Sequence, residues 1–327
     1  MPVMSYIESI TRAMKEEMER DDNVFVLGED VGKRGGVFRA TNGLYDQFGE
    51  ERVIDTPLAE SAIAGVGIGA AMYGMRPIAE MQFADFIMPA VNQIVSEAAK
   101  IRYRSNNDWI CPITFRAPYG GGVHGALYHS QSVEALFANV PGLKIVMPST
   151  PYDAKGLLKA AIRSDDPVLF FEHKRAYRLI KGEVPDEDYT LPIGKAEVKR
   201  QGEDITVITY GLCVHFALQA AENLAKDGYD AHVLDLRTVY PLDKEAIIEA
   251  AKKTGKVLLL TEDNKEGSII SEVSAIIAEN CLFDLDAPVE RLAGPDVPSM
   301  PYAQPMEKNF MVNPDKVEKA MRDLAEY

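Results

Sequence analysis

Short apolar runs alternate with helix patterns along most of this 327-residue chain. In the first half the apolar runs lie at 24–27, 77–79, 112–115, 144–147 and 168–171. The helix patterns lie at 62–74, 84–104, 131–139 and 151–163. Strands that alternate with helices pair in parallel, and strands of a sheet covered on both faces are apolar throughout. The pattern therefore predicts an α/β fold with a doubly wound, mostly parallel sheet.

The alternation stops between His173 and Gly194, where the chain is charged and contains prolines. A second alternating set follows, with strands near 205–209, 231–235, 256–260 and 289–292 and helices near 213–227, 243–253, 268–280 and 314–325. A chain of this length is typical of two domains with separate cores. We therefore predict two doubly wound domains, residues 1–185 and residues 195–327.

Composition excludes several classes of protein. A formal net charge of −15 argues against nucleic acid as a partner, because phosphates call for a basic surface. The charge fits either a solvated surface or an acidic face for a basic partner. No apolar run reaches the roughly 20 residues of a membrane span, and the acidic, helix-patterned N-terminus does not resemble a signal peptide. We predict a cytoplasmic protein in which Cys111, Cys213 and Cys281 are small buried hydrophobic residues.

One glycine pattern resembles a dinucleotide-binding fingerprint. Gly65, Gly67 and Ala70 spell G-x-G-x-x-A, and Asp85 follows at a suitable distance. That motif requires its first glycine directly after a strand, whereas about ten residues separate Ile54 from Gly65. We therefore reject a nicotinamide or flavin site here and interpret Gly65, Gly67, Gly69 and Gly74 as close-packing positions on a buried helix.

The segment DTPLAES, Asp55 to Ser61, places one carboxylate, Glu60, between an apolar strand and a helix rich in glycine and alanine. An unpaired buried charge costs several kcal/mol, so such a residue is neutralised, paired or used chemically. An acid in the first turn of a helix is also favoured by the helix dipole. Both interpretations, a helix-start acid and a chemical group, stay open on the residues alone.

Several long segments resemble one family. DTPLAES, EMQFADF at Glu80 to Phe86 and GGGVHGALYHSQS at Gly120 to Ser132 resemble the β subunits of the thiamin-diphosphate-dependent 2-oxo acid dehydrogenases. The similarity extends to PSTPYDAKGLL, DLRTVYPLD and AGPDVPSMPYAQPME, so it spans nearly the whole chain. It implies a transketolase-like pyrimidine-binding domain followed by a transketolase C-terminal-like domain. The second domain would serve dimerisation and the docking of a lipoyl acyltransferase.

The resemblance assigns a cofactor role to Glu60. In the family this glutamate hydrogen-bonds a ring nitrogen of the aminopyrimidine and favours its imino tautomer, which requires burial to raise the pKa of the glutamate. Phe86 occupies the position that stacks on the pyrimidine ring, and Leu58 and Gln82 line the same pocket. Without the resemblance, Phe83 and Phe86 are plain core residues.

The resemblance also marks a histidine. His129 matches the family's active-site histidine, which lies near the substrate carbonyl and supplies a proton or helps the acyl group pass to the lipoyl arm. His124 is interpreted as ordering the loop. Without the resemblance, either histidine is a structural residue of a polar loop. Ser130, Gln131 and Ser132 either donate hydrogen bonds around the active-site histidine or cap the next helix.

The family's diphosphate–Mg²⁺ motif begins with GDG, which this chain lacks. An α subunit would therefore hold most of the Mg²⁺ and diphosphate, in an α2β2 heterotetramer with thiamin diphosphate between subunits. Related β subunits also bind potassium through backbone carbonyls, a site with little side-chain signature. Those positions map to Ile113, Ala161, Ser164 and Asp166.

The resemblance implies oxidative decarboxylation of a 2-oxo acid with reductive acylation of a lipoyl group. The segments around Phe86 and His129 are closer to the branched-chain type than to pyruvate or acetoin relatives. We therefore predict branched-chain 2-oxo acids as substrates and an enzyme active only with its α subunit. A pyruvate or acetoin dehydrogenase β subunit and a non-catalytic docking subunit are the alternatives.

Overall fold

The computed structural model describes residues 1–327, which form fourteen strands and twelve α-helices. The strands are β1 (Val3–Ser5), β2 (Val24–Gly28), β3 (Val53–Asp55), β4 (Arg76–Glu80), β5 (Thr114–Tyr119), β6 (Lys144–Val146), β7 (Val168–His173), β8 (Lys181–Glu183), β9 (Glu197–Arg200), β10 (Ile205–Thr209), β11 (Ala231–Asp235), β12 (Thr238–Tyr240), β13 (Val257–Asn264) and β14 (Glu290–Gly294). The helices are α1 (Tyr6–Arg20), α2 (Leu44–Phe48), α3 (Glu60–Met72), α4 (Ile101–Arg104), α5 (Glu134–Ala138), α6 (Pro151–Arg163), α7 (Ala176–Leu179), α8 (Cys213–Ala225), α9 (Lys244–Thr254), α10 (Ile269–Cys281), α11 (Gln304–Phe310) and α12 (Pro314–Ala325). None of these helices is both long enough and apolar enough to span a membrane.

The chain divides into two compact units, the first made of Met1–Tyr119 with Leu136–Ile193 and the second of Gly120–Ala135 with Gly194–Tyr327. The sequence analysis placed residues 120–135 in the first domain, whereas the structure places them in the second unit. Hydrogen bonds explain the difference, because the Gly121 amide donates to Glu262 and the Tyr210 hydroxyl donates to Glu134, both inside the second unit.

The first unit contains a parallel sheet with the strand order β6-β7-β5-β4-β2-β3. Strands β2, β5 and β7 are buried along their whole length, as expected of a sheet with helices on both faces. Helices α1 and α6 pack against each other, and β1 pairs with β8 in a separate antiparallel ribbon. The predicted doubly wound sheet is confirmed.

One predicted helix of the first unit was wrong. The pattern at 84–104 forms two 3₁₀ turns, Ala84–Phe86 and Met88–Ala90, then a π-helical segment, Gln93–Ala98, and finally α4. Pro89 lies inside this stretch, and proline has no amide hydrogen and clashes with the preceding helical turn. The hydrophobic residues therefore have the spacing of a helix, but the segment does not form one continuous α-helix.

A buried ionic network joins the middle strands of this sheet. Arg116 on β5 donates to both carboxylate oxygens of Glu172 at 2.6 Å and to Glu80 at 2.5 Å, and the Tyr177 hydroxyl donates to Glu172 at 2.6 Å. All four side chains are buried. Burial raises the pKa of Glu80, although the Arg116 guanidinium acts in the opposite direction. The network fixes the carboxyl ends of β4, β5 and β7 against one another.

The second unit contains a five-stranded sheet with the order β14-β13-β10-β11-β9, in which only β9 is antiparallel to its neighbour. Helices α8 and α12 cover one face, and their apolar side chains form a core with β10, β11 and β13. Cys213 and Cys281 are buried free thiols here, as Cys111 is in the first unit. The sequence prediction for the cysteines is confirmed.

Candidate active site

The order of strands in the first unit creates a crevice. The chain passes from β2 to β3 on one side of β2 and then returns to β4 on the other side. In an open α/β sheet, ligands bind outside the carboxyl ends of the strands at such a reversal. The segments that follow β2, β3 and β4 are therefore the natural place for a site, and they contain Glu29, Glu60 and Gln82.

Hydrogen bonds tie these three segments together. The Thr56 amide donates to the carbonyl of Gly28 at 3.0 Å, which links the ends of β3 and β2. The side-chain amide of Gln82 donates to Asp30 at 3.2 Å, which links the ends of β4 and β2. Gly28 has φ +159°, and a Cβ there would lie 2.8 Å from the Glu80 carbonyl oxygen. The close approach of β2 and β4 thus requires glycine.

Two buried carboxyl groups lie near each other at this point. Glu60 is the first residue of α3 and only 6 % exposed, and Glu29 directly follows β2 and is 7 % exposed. Burial raises the pKa of the Glu29 carboxyl, and the negative charges of Glu60 and Asp30 raise it further. The crevice therefore contains two buried acids whose charges repel each other.

Polar atoms in the crevice lack partners within the chain. Glu29 Oε1 and Thr56 Oγ1 are buried and form no hydrogen bond in this structure. Buried polar atoms normally have partners, so orphaned ones indicate a missing ligand or partner. Both atoms lie beside strand ends at the reversal point, so a polar ring that offers donors and acceptors would satisfy them.

The other predicted pocket residues lie on the same edge. Gln82 and Phe86 follow β4 and are half-buried, whereas Leu58 precedes α3 and is 79 % exposed. The ring of Phe86 contacts Phe83 edge-to-face, with 5.7 Å between centroids. The structure therefore brings Glu60, Leu58, Gln82 and Phe86 to one edge of the first unit.

Helix α3 presents an unusual outer face. Gly67 packs closely, because a Cβ there would lie 2.7 Å from Ile113. A Cβ at Gly65 would meet only Gln93 Cγ at 4.0 Å, Gly69 and Gly74 face open space, and Val66 and Tyr73 are exposed. Within the chain, close packing is therefore confirmed for Gly67 and was wrong for Gly65, Gly69 and Gly74. They form an exposed apolar face of small residues that begins at Glu60.

His129 belongs to the second unit. It is half-buried in the loop 120–135, and the Gly120 amide donates to the Gln131 carbonyl at 3.1 Å across the loop. His124 in the same loop contacts Glu307, with 2.6 Å between Nδ1 and Oε2. Ser130 is buried, and α5 begins at Glu134, two residues after Ser132.

Comparison with known proteins decides the family. Residues 3–180 match the transketolase pyrimidine-binding domain, and residues 194–317 match the transketolase C-terminal domain. The chain is 85 % identical to the 2-oxoisovalerate dehydrogenase subunit beta of Bacillus subtilis (strain 168) over the full length of both. The chain belongs to the β subunits of the 2-oxo acid dehydrogenases. The resemblance stated from the sequence is confirmed.

Two further proteins are also similar to this β subunit. The pyruvate dehydrogenase E1 component subunit beta of the same bacterium is 48 % identical over the full length of both chains. A solved structure described as a split gene transketolase, inactive beta4 tetramer, superposes with a TM-score of 0.80 at 22 % identity and covers 99 % of this chain and 98 % of that one. It confirms the transketolase-like fold.

The residues predicted to hold potassium lie together in the first unit, beside the start of β5 and between the end of α6 and β7; they are Ile113, Ala161, Ser164 and Asp166. Each carbonyl oxygen already accepts one hydrogen bond, and its second lone pair leaves the donor set compatible with a cation. Lys144 lies 3.1 Å from Asp166 Oδ2, and Arg76 donates to the Ser164 carbonyl at 3.1 Å. Lys144 and Arg76 therefore already place positive charge beside the predicted potassium site.

Sequence reasoning missed Glu29 as a residue of the crevice. The usable signal was its position, because Glu29 is the first ionisable residue after the fully apolar strand β2. Carboxyl ends of neighbouring parallel strands meet at one edge, so the acids that follow β2 and β3 could have been paired. Glu262 and Glu307 were also missed, and they contact the histidine loop from remote positions in the chain.

Stability is expected to depend on pH through Glu134. Burial raises the pKa of this carboxyl to about 8, with further repulsion from Asp263. The folded state then binds more protons than the unfolded chain, so the wild type loses stability as pH rises from about 4.5 to about 8. We expect Glu134→Gln to be more stable than wild type at pH 9, by on the order of 5 kcal/mol, and so to unfold at a higher temperature.

Thermal unfolding of both proteins between pH 5 and 9 measures this effect. The difference in midpoint should shrink towards pH 5, where Glu134 is protonated in the wild type. Tyr210 donates to Glu134 at 2.8 Å, and a glutamine carbonyl can accept the same bond. Equal midpoints of the two proteins across this range would contradict the shifted pKa.

Proposed function

We propose that this chain is the pyrimidine-binding subunit of a branched-chain 2-oxo acid dehydrogenase that uses thiamin diphosphate. The observation that carries the proposal is the buried acid Glu60 near a second buried acid, Glu29, at the edge where the sheet reverses. The Bacillus subtilis relative is named for 2-oxoisovalerate, a branched-chain 2-oxo acid. In our proposal residues 1–185 hold the pyrimidine, and residues 195–327 serve dimerisation and docking.

When bound, thiamin diphosphate would supply a nucleophilic carbon and an electron sink for the decarboxylation of a 2-oxo acid. Glu60 would share a proton between its carboxyl group and a ring nitrogen of the aminopyrimidine. Glu29 is a second buried acid near Glu60, and burial raises its pKa. Phe86 would stack on the pyrimidine ring, and Leu58 and Gln82 would border it.

His129 supplies a proton near the substrate carbonyl or assists transfer of the acyl group to the lipoyl arm. Its support is the match to the family motif and its half-buried position in an ordered loop. Histidine suits this role because its usual pKa lies near neutrality, so one ring can both give and accept a proton.

An α subunit completes the site in an α2β2 heterotetramer. The chain has no GDG motif and no group of three or more His, Cys, Asp or Glu side chains arranged for a metal, so we assign Mg²⁺ and the diphosphate mainly to the α subunit. The exposed apolar face of α3, with Val66 exposed and Gly69 open, lies on the helix that starts at Glu60 and is the surface we assign to this partner.

The remaining proposals concern the surroundings of the enzyme. We assign the lipoyl acyltransferase to the second domain, where the acidic chain would attract a basic docking module. We keep the cytoplasm as the compartment, consistent with three free buried thiols. The potassium ion at Ile113, Ala161, Ser164 and Asp166 stays a prediction, and Arg76 already donates to the Ser164 carbonyl, one of its predicted ligands.

Reconstitution tests the proposed function. The chain is combined with the α subunit that partners the Bacillus subtilis relative, and carbon dioxide release is measured with 3-methyl-2-oxobutanoate and with pyruvate. We expect no turnover by either chain alone, and a kcat/KM at least about tenfold higher for the branched-chain acid, a difference of about 1.4 kcal/mol. Exclusive use of pyruvate would instead favour the relationship to the pyruvate dehydrogenase β subunit.

A further inference from the structure

Carboxylates from remote segments hold the loop 120–135 within the second unit. At one end the Gly121 amide donates to Glu262 Oε1 at 2.7 Å. Near the middle the His124 amide donates to Glu307 Oε1 at 3.2 Å. At the other end Glu134 accepts a bond from the Tyr210 hydroxyl at 2.8 Å. Each contact joins residues more than 70 positions apart in the chain.

Glu307 holds His124 at two points. Its Oε1 accepts the His124 amide, and its Oε2 lies 2.6 Å from the ring atom Nδ1. Glu307 is 3 % exposed, whereas half of the His124 side chain is exposed. The backbone of His124 has φ +56°, a left-handed conformation that costs a non-glycine residue about 1 kcal/mol. The two bonds stabilise a conformation that the loop would not adopt by itself.

The hold on His124 reaches His129 through a direct contact. A Cβ added at Gly125 would lie 2.7 Å from both the Cβ and the carbonyl oxygen of His129. The loop therefore folds back so that the residue next to His124 lies against His129. The Gln131 side chain donates to the Leu127 carbonyl at 3.0 Å and closes the intervening turn. A movement of His124 is therefore expected to displace His129 as well.

The C-terminal motif supplies a second support for the same loop. Met300 and Glu307 both belong to the segment AGPDVPSMPYAQPME, to which the proposed chemistry gives no role. A Cβ at Gly121 would lie 2.3 Å from the Met300 methyl group, so Met300 packs directly on the loop. The segment therefore contacts the loop at Gly121 through packing and at His124 through hydrogen bonds.

We propose that Glu307 is a positioning residue for His129 and acts through His124. The inference rests on the proposed role of His129 in the reaction. Glu307 fixes the position and the orientation of the His129 imidazole, and the segment AGPDVPSMPYAQPME places the Glu307 carboxylate against the loop. Loss of the contacts between Glu307 and His124 reduces turnover, while the fold and the cofactor crevice of the first unit stay intact.

The test uses the enzyme reconstituted with its α partner and the variants Glu307→Gln, His124→Ala and His124→Asn. Glutamine removes the charge of Glu307 with little change of volume. Alanine removes the ring donor from a half-exposed side chain, which lets the chain fold even if Glu307→Gln does not. Asparagine carries an N–H donor near the position of Nδ1 and tolerates the left-handed conformation. Glu279→Gln, an exposed change on α10, is the control.

We expect kcat to fall roughly tenfold in Glu307→Gln and in His124→Ala, with the KM for the 2-oxo acid changed less than about twofold. Amide hydrogen exchange of peptides within 121–132 should accelerate in both variants. His124→Asn should recover most of the turnover, and Glu279→Gln should equal wild type. The double variant His124→Ala/Glu307→Gln should be no slower than the slower single one, because both changes break one contact.

His129→Ala, measured in parallel, separates this proposal from the one on which it rests. If His129→Ala turns over normally, the proposed role of His129 fails and the positioning role of Glu307 fails with it. If His129→Ala is inactive while Glu307→Gln and His124→Ala keep wild-type kcat, only the positioning role is overturned. Faster loop exchange without any loss of kcat overturns it as well.

Discussion

Glu60→Gln should lower the turnover of the reconstituted enzyme by roughly 10²- to 10⁴-fold, the range that one acid–base group contributes. Glutamine keeps the size of the side chain and can still hydrogen-bond, but it cannot hold or release the proton that the pyrimidine nitrogen shares. Glu60 is buried at the start of α3, so no other acid of that helix can replace it. Carbon dioxide release from 3-methyl-2-oxobutanoate measures the effect.

The same variant separates catalysis from the two other interpretations of Glu60. An acid that only interacts with the helix dipole contributes about 0.3–1 kcal/mol, so its loss would lower the melting temperature slightly and leave kcat unchanged. A docking subunit without chemistry would likewise tolerate the change. We expect assembly with the α subunit to be normal, as shown by gel filtration. Glu51→Gln, an exposed change just before β3, is the matched control and should be fully active.

Arg116→Met should destabilise the chain by about 3–5 kcal/mol, because it leaves two buried carboxylates, Glu80 and Glu172, without their cation. Arg116 is fully buried, and each of its partners is at most 4 % exposed at the side chain. The raised pKa of Glu80 indicates that burial already disfavours its charge even with the arginine present. Urea denaturation followed by circular dichroism measures the loss.

The pH dependence of this variant gives an internal check. Burial already raises the pKa of Glu80, and loss of the Arg116 charge raises it further, so the variant gains stability as pH falls towards 5 and Glu80 takes up a proton. Its deficit should therefore be larger at pH 8 than at pH 5. Arg322→Met is the control, since Arg322 pairs with Asp227 on the surface and its loss should leave the unfolding midpoint unchanged. Equal effects of the two arginine variants would contradict the importance of burial.

The sequence predicted those features of the molecule that depend on burial along a single element. Strands β2, β5 and β7 are covered on both faces, so their uninterrupted apolar runs are visible without any structure. Glu60 could be identified because a lone carboxylate between an apolar strand and a small-residue helix is conspicuous. The prediction of a helix at 84–104 was wrong because the hydrophobic residues keep a helical spacing in the sequence even where Pro89 prevents an α-helix.

The features that were missed depend on contacts between remote residues. The loop that carries His129 joins the second unit through Glu262 and Glu307, which lie 141 and 183 positions from their partners in the chain. Hydrogen bonds of that span leave no local periodicity. The raised pKa of Glu29 similarly depends on its burial and on the charge of Glu60, which approaches because β2 and β3 pair.

The excursion of residues 120–135 into the second unit has a consequence for recombination between related genes. A chimaera joined near residue 194, the apparent seam in the sequence, would combine the loop of one parent with the Glu262, Met300 and Glu307 of the other. Its histidine would then be supported by side chains that did not evolve with it. Productive hybrids of such β subunits should therefore exchange the loop and the C-terminal half as one inherited block.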